Sequence, residues 1–258
     1  MNERAIIVEG LNEPPRSFLQ RCFGCQVHDR DKPCNHRRTA APTSAGPPPS
    51  KETVMDFGTW PRVLVVDVEG NGAQPPDLVE VAAIPMVHGS PVPSSARSTL
   101  LRPPNPITPF ATRVHRITNQ DVATAPTWEQ VGARVHADLE GTWIAAHNAH
   151  VDYGVLLRHM PQWRPAGVLD TLRLARATCP AAGGYSLDAL IDLTGIDLAA
   201  VPGQRHRAGF DAHATALLLL DLAAHYDTWD ALLAAAVPPK MPGASLPATP
   251  NSEDQTLW

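Results

Sequence analysis

Short apolar runs alternate with amphipathic stretches from about residue 57 to residue 236, and the two periods switch along the chain. Val63 to Val68 is a β-branched apolar run, Leu78 to Met86 is a second, and Ser98 to Arg102 is a shorter one closed by Pro103 and Pro104. Each predicts a strand, and three strands in succession with short connections predict an antiparallel meander. After Pro109 the pattern turns helical. Thr127 and Gln130 form a capping box ahead of Val131, Val135 and Leu139 at helical spacing. Thr142 to His147 then reads as a strand, Asp152 to Met160 as a helix, Gly167 to Leu169 as a short strand and Thr171 to Thr178 as a helix. Ser186 opens a further helix, a long apolar-faced one runs from about Ala208 to His225, and Thr228 starts a last short one. Strands first in sequence and then alternating with helices predict an α/β domain, a mixed sheet flanked by helices.

Outside this block the periodicity fails. The chain has 258 residues and 27 prolines, about twice the usual ~5%, and they crowd its edges. Residues 37–56 are a Pro-rich linker with Pro47, Pro48 and Pro49 in a row, and residues 237–258 are a Pro-punctuated tail expected to form no packed element. The N-terminal arm, residues 1–36, holds Cys22, Cys25, Cys34 and His36, a candidate tetrahedral zinc set, although the one-residue spacing of the second pair suits incidental thiols equally. The start of the chain lacks the layout of a signal peptide, which points to the cytoplasm. The apolar stretch Leu217 to Leu220 is cut by Asp221, and no run approaches the ~20 residues of a membrane span. A formal charge of −5 argues against a globally basic nucleic-acid surface; any such partner must be held locally.

The chemistry lies at three places. The strand Val63-Leu64-Val65-Val66 ends in Asp67-Val68-Glu69, and two-residue spacing sends both carboxylates to one face. By itself that is equally a solvated strand end. The Gly70-Asn71-Gly72 that follows is no dinucleotide fingerprint, because Pro75 takes the place of the third glycine and a strand follows. Second, His147-Asn148-Ala149-His150-Val151-Asp152 carries an acid into the first turn of a helix, where an acid also merely complements the helix dipole. Third, His206 stands five residues before Asp211 at the start of the long helix.

In this order the three pieces resemble the DnaQ-like DEDDh 3′-5′ exonuclease family, which includes the proofreading epsilon subunit of DNA polymerase III, ribonuclease T and oligoribonuclease. The likeness runs over about residues 61–224 and includes Val114-His115-Arg116-Ile117-Thr118, Leu169-Asp170-Thr171-Leu172 and Tyr185-Ser186-Leu187-Asp188. The resemblance implies a ribonuclease-H-like fold and a site holding two Mg²⁺ or Mn²⁺ ions, hard cations that suit carboxylate ligands. It implies that Asp67, Glu69 and Asp211 hold the ion that activates water, that Asp67 also reaches the second ion with Asp152 helping through water, and that His206 is the general base. Where the family often has threonines after the Glu, this chain has Gly70, Asn71 and Gly72, so the backbone there and the Asn71 amide are expected to touch the 3′-terminal nucleotide; His147 and Asn148 are further candidate substrate contacts. The implied partner is the 3′ end of single-stranded DNA or RNA. An RNA-trimming or short-oligonucleotide exoribonuclease and a non-catalytic nucleic-acid or polymerase-binding module are the alternatives. The final Gln255-Thr256-Leu257-Trp258 is weakly similar to the peptides by which bacterial replication and repair proteins bind the sliding clamp.

Overall fold

The computed structural model describes residues 55–92 and 96–244. The zinc set, most of the linker and the terminal peptide lie outside those residues.

A six-stranded mixed sheet organises the chain. Strands β1 (Val63–Gly70) and β2 (Leu78–Val87) pair antiparallel, with β3 (Ser90–Pro91) and β4 (Arg97–Leu100) antiparallel on the far side of β2. On the other side of β1, strands β5 (Trp143–Ala146) and β6 (Gly167–Asp170) run parallel to it. Parallel neighbours need long crossovers. These are supplied by helices α1 (Pro109–His115) and α2 (Trp128–Leu139) before β5, and by α3 (His150–His159) between β5 and β6. After β6 come α4 (Thr171–Thr178), α5 (Leu187–Thr194), α6 (Ala208–Ala223) and α7 (Trp229–Ala236). The expected meander, mixed sheet and helix order are therefore present, with the ends of most elements within a residue or two of their expected positions.

Alternation along β1 explains why the run Val63 to Val66 has no polar position: both faces are covered. Val63 and Val65 pack into a core shared with Leu174, Leu190, Ala214, Leu218 and Leu222, the side of α4 to α7. Leu64 and Val66 pack into a second core with Val131, Ile144, Leu156 and Trp163, the side of α2 and α3. The parity of Val63 and Val65 continues into Asp67 and Glu69, which are thereby aimed at the α6 side of the sheet. On β2 the matching parity places Ala82 and Ile84 against Ala208 and Ala212, so small side chains let the first turns of α6 lie close to the sheet.

Two boundaries differ from expectation. Met55 is buried in the first core and Asp56 accepts the Gly58 amide at 2.9 Å, so the domain takes in the end of the presumed linker. Residues 237–244 are packed. Val237 is buried, Met241 lies on the second core, and the Val168 amide of β6 donates to the Pro242 carbonyl at 3.0 Å. The reason is steric: Gly167 and Gly243 both lie against the Trp143 ring, where a Cβ would come within 2.1 and 2.6 Å of it, so two glycines make the seat that proline counting does not reveal. Among the described residues no helix is long and apolar enough to cross a membrane.

The turn after β1 depends on Gly72. It has φ +81°, and a Cβ there would meet Thr108 Oγ1 at 2.3 Å. Thr108 cannot yield freely, because that oxygen accepts the Ala111 amide and caps α1. Gly72→Ala is expected to combine left-handed strain with loss of the cap, about 2–3 kcal/mol. Urea unfolding of the metal-free variant checks this; an unchanged midpoint would contradict it.

Candidate active site

The ends of β1, α3 and α6 converge, and each contributes acid. One carboxylate oxygen from each of Asp67, Glu69 and Asp211 lies within 4.8 Å of the others. Asp67 and Glu69 reach this point through strand parity, Asp211 through its place in the first turn of α6. Asp152, in the first turn of α3 and only 5% exposed, joins from the opposite side: its Oδ1 accepts the Val68 amide at 3.1 Å, the residue between the two strand acids. Four acids from three elements thus occupy one end of the sheet.

Such a cluster is electrostatically costly without cations. Burial, followed by repulsion from Asp152, Glu69 and Asp211, pushes the Asp67 carboxyl well above its ordinary range. Burial and then the Asp211 charge raise Glu69 to about 8. Burial raises Asp152 to about 7, and burial is again the first cause of the upward shift of Asp211. Hard oxygen donors, close together, partly or fully buried and mutually repelling, fit divalent cations such as Mg²⁺ or Mn²⁺.

The shifts carry a stability consequence. In the metal-free protein these folded-state pKa values exceed those of the unfolded chain, so their contribution is fully present at acid pH and is lost as pH rises through about 7 and 8. Between pH 6 and pH 9 in chelator the melting temperature should fall by about 5 °C or more, since every tenfold difference in acidity between the folded and unfolded chain is worth up to ~1.4 kcal/mol. Saturating Mn²⁺ should flatten the slope, because a cation replaces the protons. A flat chelator profile in a thermal scan would contradict the repulsive reading.

His206 lies on the loop before α6 with φ 61°. Its side chain is exposed, and its backbone amide donates to both Asp211 oxygens, at 3.1 and 3.3 Å. The backbone of the expected base is therefore tied to one of the expected ligands.

The expected substrate contacts fare differently. Asn71 is fully buried, and its amide is consumed inside the turn: Nδ2 donates to Asp77 Oδ2 at 3.0 Å, and Oδ1 accepts the Ala73 and Asp77 amides at 3.1 and 2.9 Å. It holds the β1–β2 connection and presents no free amide to a nucleotide. The Gly70 carbonyl is likewise engaged, by His115 Nε2 at 3.2 Å, while a Cβ on Gly70 would strike Pro76 at 2.8 Å. His115 Nδ1 accepts the Ile117 amide, which leaves Nε2 as the donor to Gly70 and fixes the tautomer. Burial holds His115 below the usual imidazole range, consistent with that neutral form. The ring of His147 is likewise engaged within the protein. Both ring nitrogens are spent, on Thr171 Oγ1 and the Tyr185 carbonyl, each at 2.9 Å, and burial depresses its pKa. It joins β5 to the start of α4 and to the loop before α5. Asn148, with φ 67° and its amide on Asp170 Oδ1, remains a candidate contact.

Two participants had no single-residue signal. Glu80 on β2 is 3% exposed and lies directly across from Glu69. It forms a two-point ion pair with Arg207, both bonds at 2.9 Å. Only the pairing register and the proximity of α6 to β2 bring these residues together.

Comparison with known proteins agrees with this geometry. A DNA polymerase III subunit epsilon-like protein of Rhodobacter capsulatus is 38% identical over 178 residues, 66% of this chain but 24% of that protein. Exodeoxyribonuclease 10 of Escherichia coli K12 is 35% identical over 159 residues, 61% of this chain and 67% of the relative. The solved structure of exonuclease X in complex with 5′ overhanging duplex DNA superposes with a TM-score of 0.56 at 34% identity, covering 66% of this chain and 95% of that one. Exonuclease I, at 19% identity and a TM-score of 0.54, shares the fold. The model of the exonuclease family matches residues 64–219, a span that contains all four clustered acids and His206, and the chain belongs to that family.

Proposed function

We propose that this chain is a metal-dependent 3′-to-5′ exonuclease that removes nucleotides from single-stranded DNA ends, as in proofreading or repair. The observation that carries the reading is the convergence of Asp67, Glu69 and Asp211 within 4.8 Å, with Asp152 bonded at the strand between the first two. Asp67, Glu69 and Asp211, with Asp152, would hold divalent ions, which would supply charge neutralisation at the phosphate, a more acidic water and stabilisation of the leaving 3′-oxygen. The protein's own part is to hold four acids in one place and to keep a proton acceptor beside them. His206, anchored through its amide to Asp211, accepts the proton of the attacking water on its imidazole.

The α1 side of the site offers a surface for the substrate. Phe110 (69% exposed) and Val114 (40% exposed) lie one helical turn apart on α1, whose last residue, His115, is bonded to Gly70 at the end of β1. An exposed aromatic on the helix that joins the end of β1 suits stacking on a base of an unpaired end, without regard to sequence. DNA is preferred over RNA here because the relatives reported above are named for DNA polymerase and exodeoxyribonuclease functions. The deciding experiment is digestion of matched 5′-labelled DNA and RNA oligomers with Mg²⁺ or chelator. A ladder shortening from the 3′ end, on DNA faster than RNA and only with metal, supports the reading; no cleavage of either polymer overturns it.

A further inference from the structure

We propose that Glu80 and Arg207 are positioning residues for this reaction, their ion pair, buried at Glu80 and partly exposed at Arg207, fixing the start of α6 in the frame of the sheet and so setting where Asp211 and His206 stand relative to Asp67 and Glu69. The inference rests on the exonuclease reading and adds to it a pair of residues that touch neither substrate nor metal.

Helices α1, α4, α5 and α7 are capped by the side chain immediately before them: Thr108, Asp170, Ser186 and Thr228. A cap of that kind stabilises the helix but leaves it free to shift as a body. The N-cap of α6 is Arg207, which makes no such bond. The α6 amide at Ala208 donates instead to Glu80 Oε2 at 3.1 Å, a carboxylate 128 positions earlier and on another element. Arg207 Nε and Nη2 close a planar fork on the same carboxylate, and Ser98 Oγ of β4 donates to Oε1 at 2.9 Å. Glu80 thus accepts four hydrogen bonds, and bidentate guanidinium contacts fix orientation as well as distance. Although burial acts to raise it, the Arg207 fork holds the Glu80 carboxyl below its usual range.

The two residues occupy a place from which this control works. Glu80 is register partner to Glu69, so the anchor and the metal-facing acid are cross-strand neighbours. Arg207 lies between His206 and Ala208, and its carbonyl accepts the Asp211 amide at 3.0 Å. A displacement of Arg207 is therefore transmitted to Asp211 through one backbone bond and to His206 through one peptide. Arg207 also offsets the repulsion of two acids placed directly opposite one another, and its charge opposes the upward shift of Glu69.

The test separates positioning from mere stability by using three variants of the full chain. Melting temperature, Mn²⁺ affinity by calorimetry, and kcat and KM on a 5′-labelled oligonucleotide are measured for each. Arg207→Ala leaves Glu80 buried and unpaired, so the melting temperature should fall; kcat should drop ~30-fold with KM within ~3-fold, and Mn²⁺ should bind ~10-fold more weakly. In Glu80→Gln with Arg207→Ala the stranded charge is gone, and the amide oxygen still accepts from Ala208, so most of the lost melting temperature should return. Without the fork, kcat should stay at least ~10-fold down. Arg207→Lys keeps the charge without the planar two-point geometry and should fall between wild type and Arg207→Ala. Recovery of kcat together with melting temperature in the double variant, or wild-type kcat and Mn²⁺ affinity in Arg207→Ala, would overturn the proposal. If the wild type cleaves no oligonucleotide, the exonuclease reading fails, and the Mn²⁺ measurements still decide whether the pair arranges the acids.

Discussion

Asp67→Asn is expected to lower the rate of nucleotide release at least ~100-fold, the usual scale for removing a central electrostatic element of a site, and at the same time to raise the melting temperature of the metal-free protein. Both effects come from one substitution because Asp67 is the acid most exposed to its neighbours' charge: Asp152, Glu69 and Asp211 all push its carboxyl upward after burial has done so. The amide keeps the shape of the side chain and deletes the anion. Without metal, a repulsive member of the cluster is gone and the fold gains. With metal, a hard ligand has been replaced by a weaker neutral one and the cluster loses grip, so the stabilisation conferred by Mn²⁺ should shrink. Kinetics in Mn²⁺ and paired thermal scans with and without chelator test the two halves separately. Near-normal cleavage would remove Asp67 from the metal set.

His206→Ala is expected to reduce kcat by ~100-fold or more while moving KM little, since a general base acts on the reacting proton rather than on ground-state binding. The imidazole is exposed, and the backbone amide that ties His206 to Asp211 survives the substitution, so folding and metal binding should be preserved. The acid limb of the wild-type rate profile should weaken in the variant, because an imidazolium has no lone pair for the proton. Saturating Mn²⁺ in both proteins keeps ligand protonation out of the comparison, because the cation takes the place of the protons that the metal-free cluster retains. Wild-type kcat in the variant would make His206 a bystander.

The site was legible in the sequence where one strand or one helix turn carried the information. Two-residue spacing put Asp67 and Glu69 on one face; which helices that face meets came only with the packing of Val63 and Val65. The order of the acids and His206 supplied the family resemblance. Hydrogen-bond partners lying beyond a residue's own strand or turn were not legible. Asn71 was expected at the nucleotide because it stands where the family has threonines; its side-chain amide is held by Asp77 across the turn and the Asn105 carbonyl beyond it. His147 was expected at the substrate, and Thr171 and the Tyr185 carbonyl hold its ring. Glu80 read as one polar position in an apolar strand, and nothing local to it names Arg207 as its partner. The packed segment 237–244 was hidden for the same reason: its seat is a pair of glycines 76 positions apart against one tryptophan.

That remoteness governs when activity can arise during synthesis. The chain emerges with β1 and β2 first, and their acids are already neighbours once the hairpin closes. Yet Asp211, His206 and the fork that locks them in place arrive only with α6, after both crossovers and the loop beyond α5 have been made. Non-local pairings of this kind close late and slowly. A chain that ends before residue 206 therefore holds Asp67, Glu69 and Asp152 without Asp211 or His206, and lacks both the third ligand and the base.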